Sequence, residues 1–209
     1  MAGRATAATV ERRTRADQRD EAERRLLAAA VRLVAERGLE RLTLTDIGEA
    51  AGYSRGLPAH YFGSKAGLVV TLANHVVEGF GRAAERADLN GGGLEKLMGI
   101  VAFYLDSAAR EPTRTRALFV LLGEGLSNPL ISKSLAALNA RSVRGLESNL
   151  AAAIEAGEVR ADIDPSAEAV LILAALRGVV SQWLLAPADI DLAAVRDALL
   201  ATLKRSLAP

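Results

Sequence analysis

The chain contains no cysteine, which excludes disulfide frameworks, thiolate zinc sites and cysteine nucleophiles and makes a reducing compartment the expected setting. Histidine is nearly absent as well, with two copies fifteen residues apart, His60 and His75, so neither a zinc signature nor a catalytic base pairing is recognisable. No catalytic group, metal or cofactor is expected. Aromatic residues make up 4% of the sequence, and β-branched runs bounded by turn residues are scarce. Uninterrupted apolar runs are short. The longest, from Ala169 to Leu176, falls far below a membrane span, and the opening MAGRATAATVERRTR lacks the apolar stretch of a signal peptide. A cytoplasmic protein with no membrane partner is expected.

What is present is alanine, leucine and arginine. The 209 residues are 50% hydrophobic and 24% charged, enough apolar material for one large domain or two small ones, and the dominant residue types are strong helix formers. An all-α fold is expected. The net charge of +1 divides unevenly: residues 1–65 carry 12 basic against 9 acidic groups, and the rest carry 14 against 16. This small basic excess weakly favours an anionic partner for the first third. The preference of arginine over lysine, 22 to 4, reads as a GC-rich genome rather than phosphate chemistry.

Residues 1–19 show arginines without apolar periodicity and read as a flexible basic arm. Leu26, Ala30, Val31, Leu33 and Val34 then repeat at helical spacing up to a stop at Gly38. Thr43, with Asp46 three residues on, caps a short helix ending at Ala51-Gly52; Ser54 is placed to cap a second short one over Arg55–Tyr61. Ser64 opens a longer helix with Leu68, Leu72, Val76 and Phe80 on its apolar face. Asn90-Gly91-Gly92-Gly93 marks a seam. Five further helices are expected: Leu94–Arg110, Thr113–Glu124, one from Asn128-Pro129 to about Ala156, one from Asp164-Pro165 to Leu185, and one from Asp191. About nine helices result. The expected domains are 20–66, a connecting helix 67–87, and a helical region 88–209.

The segment from Thr43 to Gly56 is two short helices joined by a glycine-containing turn, the layout of a helix-turn-helix. With Phe62, Gly63, Ser64, Lys65 and Leu68 it resembles the tetracycline-repressor (TetR) family of bacterial regulators. That family's pattern is Thr-x-x-x-Ile-Ala-x-x-Ala-Gly-x-Ser-x-Gly followed by Phe-x-x-Lys-x-x-Leu. The resemblance extends over about residues 20–80, and the helical remainder is similar to the family's more variable effector-binding and dimerisation domain. It implies a three-helix DNA-binding domain and a C-terminal bundle. The implied function is that of a homodimeric transcriptional regulator, most simply a repressor, which occupies a palindromic operator on the nucleoid and leaves it when a small molecule binds.

A recognition helix in the major groove exposes its N-terminal residues to base edges, while hydroxyls and cations nearby hold phosphates. Arg55 is the natural base reader, able to reach guanine in bidentate fashion, with a simple phosphate contact as the alternative. Leu57 and Ala59 are placed for thymine methyls, and Gly56 permits close approach. Thr43, Thr45, Tyr61 and Lys65 suit backbone clamping; the resemblance puts Lys65 at the family's phosphate-binding lysine. Ser54 and His60 complete the candidate set. The sequence departs from the family where the recognition helix usually reads Thr-Leu-Tyr: Leu57-Pro58-Ala59 stands there instead, so a shifted first turn and a missing phosphate-contacting tyrosine are expected.

Gly52-Tyr53-Ser54-Arg55-Gly56 also satisfies the Gly-x-Ser-x-Gly nucleophile elbow of hydrolases, but that elbow follows a strand and here a helix precedes it. An enzyme is therefore not expected. In the C-terminal region Phe103, Tyr104, Phe119, Arg177 and Trp183 are the candidate effector contacts, although such residues more often serve a core or an interface. The helix ending at Leu185 is apolar over more than one face and holds Gly178, and the final helix adds Leu192, Val195, Leu199 and Leu203 as a cleaner stripe; together they point to a two-fold dimer interface. A helical adaptor that binds protein rather than DNA is the alternative reading of the same faces.

Overall fold

The computed structural model describes residues 14–86 and 92–209, and among them nine α-helices and no strand. The first is α1 (Arg15–Arg37), which begins earlier than the apolar periodicity indicates. Thr14 and Asp17 form a reciprocal capping box: the Thr14 hydroxyl accepts from the Asp17 N–H at 3.1 Å, and the Asp17 carboxylate accepts from the Thr14 N–H at 2.9 Å. Residues 15–19, expected in the basic arm, are therefore helical. The rest of that arm, residues 1–13, lies outside the described residues, as do residues 87–91, which include the first two positions of the seam. Gly38, with φ +77°, ends α1 as expected.

Helix α2 (Leu44–Ala50) is capped by the Thr43 hydroxyl, which accepts from the Asp46 N–H at 3.1 Å. Helix α3 (Leu57–Phe62) starts two residues later than expected. Ser54 does not cap it with its side chain. Instead the Ser54 carbonyl accepts from the Leu57 N–H at 3.1 Å, and Pro58, in the first turn where no intrahelical N–H is needed, presets the helical φ. Then follow α4 (Lys65–Arg86), α5 (Gly93–Arg110), α6 (Pro112–Glu124), α7 (Pro129–Glu155), α8 (Pro165–Leu185) and α9 (Leu192–Leu207). Asn128, Asp164 and Asp191 cap α7, α8 and α9 through side-chain oxygens.

Two apolar cores form. The first joins α1 to α4 with the buried face of α6 and the first turns of α7, through Leu26, Ile47, Leu68, Leu72, Leu118, Leu121 and Ile131. The second joins α5, the remainder of α7, α8 and α9, through Leu97, Leu105, Leu150, Ile172 and Leu176. Helices α6 and α7 therefore belong to both halves of the molecule. By length and composition α8 is apolar enough to cross a membrane, with mean hydropathy 1.5 over its most apolar stretch, which the count of uninterrupted runs did not anticipate. One side of it fills the second core. The other leaves Val170, Leu171 and Leu185 exposed.

Between α4 and α6, Arg114 lies flat over the Phe80 ring, 4.9 Å from its centroid, and packs against Gly79. One guanidinium nitrogen pairs with Glu111 at 2.9 Å, while its Nε is buried without a hydrogen-bond partner. His75, one turn before Gly79, is half-buried, and burial followed by the neighbouring Arg82 and Arg114 lowers its pKa below the usual 6.5 against the opposing pull of Glu78 and Glu23.

Two consequences are measurable. As pH falls through 6.5 the unfolded chain takes up a proton that folded His75 resists, so this contribution to stability is intact above that pH and declines below it until the lowered folded pKa is passed. Replacing His75→Gln should flatten the pH dependence of the denaturation midpoint in that window; an unchanged profile would assign it to other groups. Gly93 sits at φ +59°, where Glu158 accepts from the Leu94 N–H at 2.9 Å, and an added Cβ would press on the Glu158 carboxylate and on Ala153. Gly93→Ala should lower stability by about 1–2 kcal/mol in urea denaturation.

Candidate nucleic-acid interface and ligand cavity

The α2–α3 unit is tight because Gly48 lets the chain fold back on itself. A Cβ there would stand 2.6 Å from the Ser54 carbonyl oxygen and 3.3 Å from Pro58 Cδ, and the Gly48 carbonyl accepts from the Tyr53 N–H at 2.8 Å. Gly52, at φ +76°, makes the turn. Arg32 of α1 donates to the Ala50 carbonyl at 3.1 Å and closes the end of α2. Pro58 and Phe62 form the buried side of α3, which leaves Arg55, Gly56, Ala59 and His60 on its outer side together with Ser54 in the turn.

The other interface candidates surround that face. Thr43 and Thr45 are exposed at the start of α2, the Thr43 hydroxyl already serving as its cap. Lys65 is exposed at the start of α4 and donates from Nζ to the Glu40 carbonyl at 2.6 Å. Leu57 and Tyr61 are half-buried; the Tyr61 hydroxyl donates to the Arg19 carbonyl at 3.3 Å and ties α3 to α1. Arg55 is not free in solution. Its Nε contacts Glu49 Oε1 at 2.5 Å, in a pair so exposed that it contributes at most about 1 kcal/mol. Ser54 stands between two helices, where a nucleophile elbow would need a strand.

In the C-terminal half a cavity of about 580 Å³ opens among α4, α5, α6, α7 and α8. Its deep wall is apolar, with Leu118, Leu138, Leu146, Leu173 and Leu176 buried, and its more exposed rim carries Gly81, Lys96, Arg141 and Asn149. Three of the five expected effector contacts line it: Phe103, Tyr104 and Arg177. Arg177, half-buried, donates to Asn139 at 2.7 Å and lies near Tyr104, where its charge acts on the phenol. Burial, outweighing Arg177, raises the pKa of Tyr104, which therefore stays a neutral phenol at physiological pH.

Phe119 and Trp183 do not line this cavity. Phe119 borders a shallow cleft beside the end of α1 and packs against the second core, as Trp183 does near the end of α8. Sequence reading overlooked Lys96 and Arg141, ordinary surface-helix residues until the topology brings α5 and α7 together. Phe80 was assigned to the apolar face of α4; that face also reaches the cavity.

Comparison with known proteins agrees with this architecture. Residues 26–72 match the family model described as bacterial regulatory proteins, tetR family, and residues 93–208 match that of the BetI-type transcriptional repressor, C-terminal. The HTH-type transcriptional regulator TtgR of Pseudomonas putida is 29% identical over 188 residues, covering 87% of this chain and 88% of TtgR. BetI of Burkholderia lata is 28% identical over 133 residues, 61% of this chain and 64% of its own. Two solved structures share the fold. A putative transcriptional regulator from Saccharomonospora viridis in complex with choline superposes with a TM-score of 0.81 at 21% identity, covering 91% of this chain and 99% of that one. FadR from Bacillus subtilis in complex with stearoyl-CoA does so with a TM-score of 0.72 at 20% identity, covering 88% and 99%. With both family models matched in sequence order across the helix-turn-helix and the cavity-bearing bundle, the chain belongs to the TetR family and is a DNA-binding, ligand-responsive transcriptional regulator rather than an enzyme.

Proposed function

We propose that this regulator is a repressor that grips an inverted-repeat operator as a two-fold dimer and releases it when a small molecule fills the cavity. The observation that carries this reading is a shared wall: Phe80, Leu118 and Leu138 line the cavity and also pack in the core that holds α2 and α3. A ligand pressing on those side chains presses on the scaffold of the DNA-reading unit. By linkage, whatever factor the ligand takes from operator affinity, the operator takes from ligand affinity.

On DNA, Arg55 reads a base edge, Leu57 and Ala59 meet thymine methyls, and Gly56 lets the backbone approach. Thr43, Thr45, Ser54, His60 and Lys65 hold the phosphates, and Tyr61 reaches one only by giving up its tie to Arg19. The dimer forms through α8 and α9. Val170, Leu171, Ala174, Gly178 and Leu185 make an exposed apolar stripe along α8, and a Cβ at Gly178 would meet nothing within 4 Å, so a second helix has room to come close. Such a dimer sets its two readers about 34–36 Å apart, in successive major grooves. The adaptor reading gives way to the family match.

The neighbours of the same fold hold chemically opposite ligands, a choline cation and an acyl-CoA. The fold therefore leaves the ligand class to the side chains of the cavity.

Selection of sheared DNA from the source genome at about 0.15 M salt, where counterions suppress non-specific binding, should enrich an inverted repeat. Recovery of no sequence above background by a folded dimer would defeat the proposal. Against the selected site, Arg55→Ala should cost about 1–3 kcal/mol and relax preference at one base pair per half-site, whereas Glu49→Gln should tighten binding by freeing Arg55 and removing a negative charge near the phosphates. Leu171→Glu places a charge on the stripe while sparing the core. Sedimentation at micromolar concentration should find it monomeric and unable to hold the full repeat; a stable dimer would move the interface elsewhere.

A further inference from the structure

The residues around the cavity are unbalanced in charge. Lys96, Arg141 and Arg177 line it, and no carboxylate does among the described residues. Arg177 already has Asn139 as a partner and lies near Tyr104. Lys96 and Arg141 have neither an ion-pair nor a hydrogen-bond partner among the described residues. They come from different helices, α5 and α7, and both line the rim. There Arg141 lies against α4 at Gly81, its Nη2 3.2 Å from where a Cβ would stand, so a larger residue at 81 would displace it.

The other polar groups at the rim are engaged within their own helices. The Ser142 hydroxyl donates to the Leu138 carbonyl at 3.0 Å, the Asn149 amide donates to the Gly145 carbonyl at 2.7 Å, and Ser107 accepts from Arg110. Positive charges without a partner at the edge of an apolar chamber favour an anionic head group there over a neutral or cationic one.

A cationic guest meets the opposite situation. Bound without a carboxylate, it would depend on aromatic faces, and each ring of the cavity already has an arginine beside it. Arg114 lies over Phe80 at 4.9 Å, Arg110 lies over Phe103 at 5.9 Å, and Arg177 lies near Tyr104. Tyr104 also brings no negative charge, since it stays protonated.

We infer that the cavity takes an amphipathic organic anion, its apolar body against the leucine wall of α6, α7 and α8 and its carboxylate or phosphate head at the rim that Lys96 and Arg141 make basic. This rests on the cavity being the effector site. The volume of about 580 Å³ accommodates a medium-length acyl chain or a compact ring system of similar size.

Three probes with the same tail separate head-group recognition from simple greasiness: decanoate, 1-decanol and decyltrimethylammonium, titrated calorimetrically below their micelle-forming concentrations at matched ionic strength. Decanoate should bind at least about tenfold more tightly than decanol, as a charge-assisted contact predicts, with the cation weakest. In the double variant Lys96→Gln, Arg141→Gln, both sites being at the rim and outside the cores, the advantage of decanoate over decanol should vanish. A cation bound tightest, equal affinity for all three, an advantage that survives the double variant, or no binding of any probe would each overturn the inference. Operator affinity measured alongside keeps the two levels apart. If the operator is held but no probe binds, the ligand class is wrong and the regulator reading stands. If decanoate binds with the expected dependence on Lys96 and Arg141 yet leaves operator affinity unchanged, the ligand class holds and the effector role fails.

Discussion

Helix α4 is the member on which both halves of the molecule depend. Its first turns place Leu68, Val69, Leu72, Ala73 and Val76 in the core shared with α1, α2 and α3, and its later turns present Phe80 and Gly81 to the ligand cavity. A helix is stiff along its axis, so a displacement imposed near Phe80 reaches Lys65, where the helix begins beside the end of α3. Nothing in this requires a chain of special contacts. It requires that the same helix be well packed at one end and adjustable at the other.

The adjustable end is built around Arg114. A guanidinium stacked on Phe80, paired with a half-exposed Glu111 and left with a buried Nε lacking a partner, is poorly satisfied for a charge in that position. The arrangement persists because Gly79 lets the side chain lie against α4. Leu118, one turn further along α6, faces the cavity from the other side of the same contact. Ligand contact with Phe80 and Leu118 would therefore act on this junction between α4 and α6. A ligand shifts such an equilibrium only by the difference in its affinity for the two arrangements, so a guest that merely fills space without favouring one of them changes nothing at the DNA.

Much of the fold was legible because its signals are local. Gly38, Thr43, Asn128, Asp164 and Asp191 each terminate or start a helix by satisfying backbone groups within a few residues, and the helix-turn-helix is a contiguous pattern. The start of α1 was missed for an equally local reason: the Thr14–Asp17 capping box precedes a solvent-exposed stretch with no apolar periodicity to flag it. The shifted start of α3 comes from competition between Ser54 as a side-chain cap and Pro58, which does not need one. The cavity was only partly legible. Adjacent residues on a helix point about 100° apart, so Leu118 lines the cavity while its neighbour Phe119 packs against the second core outside it, and aromatic character carries no information about which is which. Lys96 and Arg141 lie 28 and 73 residues beyond Leu68, where the motif ends, and only the packing of α5 against α7 puts both on one cavity.

The departures of α3 from the family pattern are coupled rather than independent. Gly48 stands where the family's pattern has alanine, and Pro58 stands in the recognition helix; a Cβ at 48 would press on both the Ser54 carbonyl and the proline ring. The glycine thus makes room for the proline, and restoring alanine at 48 alone would push α3 away from α2. The loss of the tyrosine at position 59 has a different consequence. Tyr61 is turned inward to Arg19 and half-buried, so it does not replace the missing hydroxyl without giving up its tie to α1. Under the proposed contacts, phosphate binding would then shift toward Lys65, whose ammonium uses one donor on Glu40 and keeps two, and toward the threonines at the start of α2. An interface that relies on a flexible lysine in place of a fixed phenol gains its affinity more from charge and less from geometry, and its hold on DNA is correspondingly more sensitive to salt.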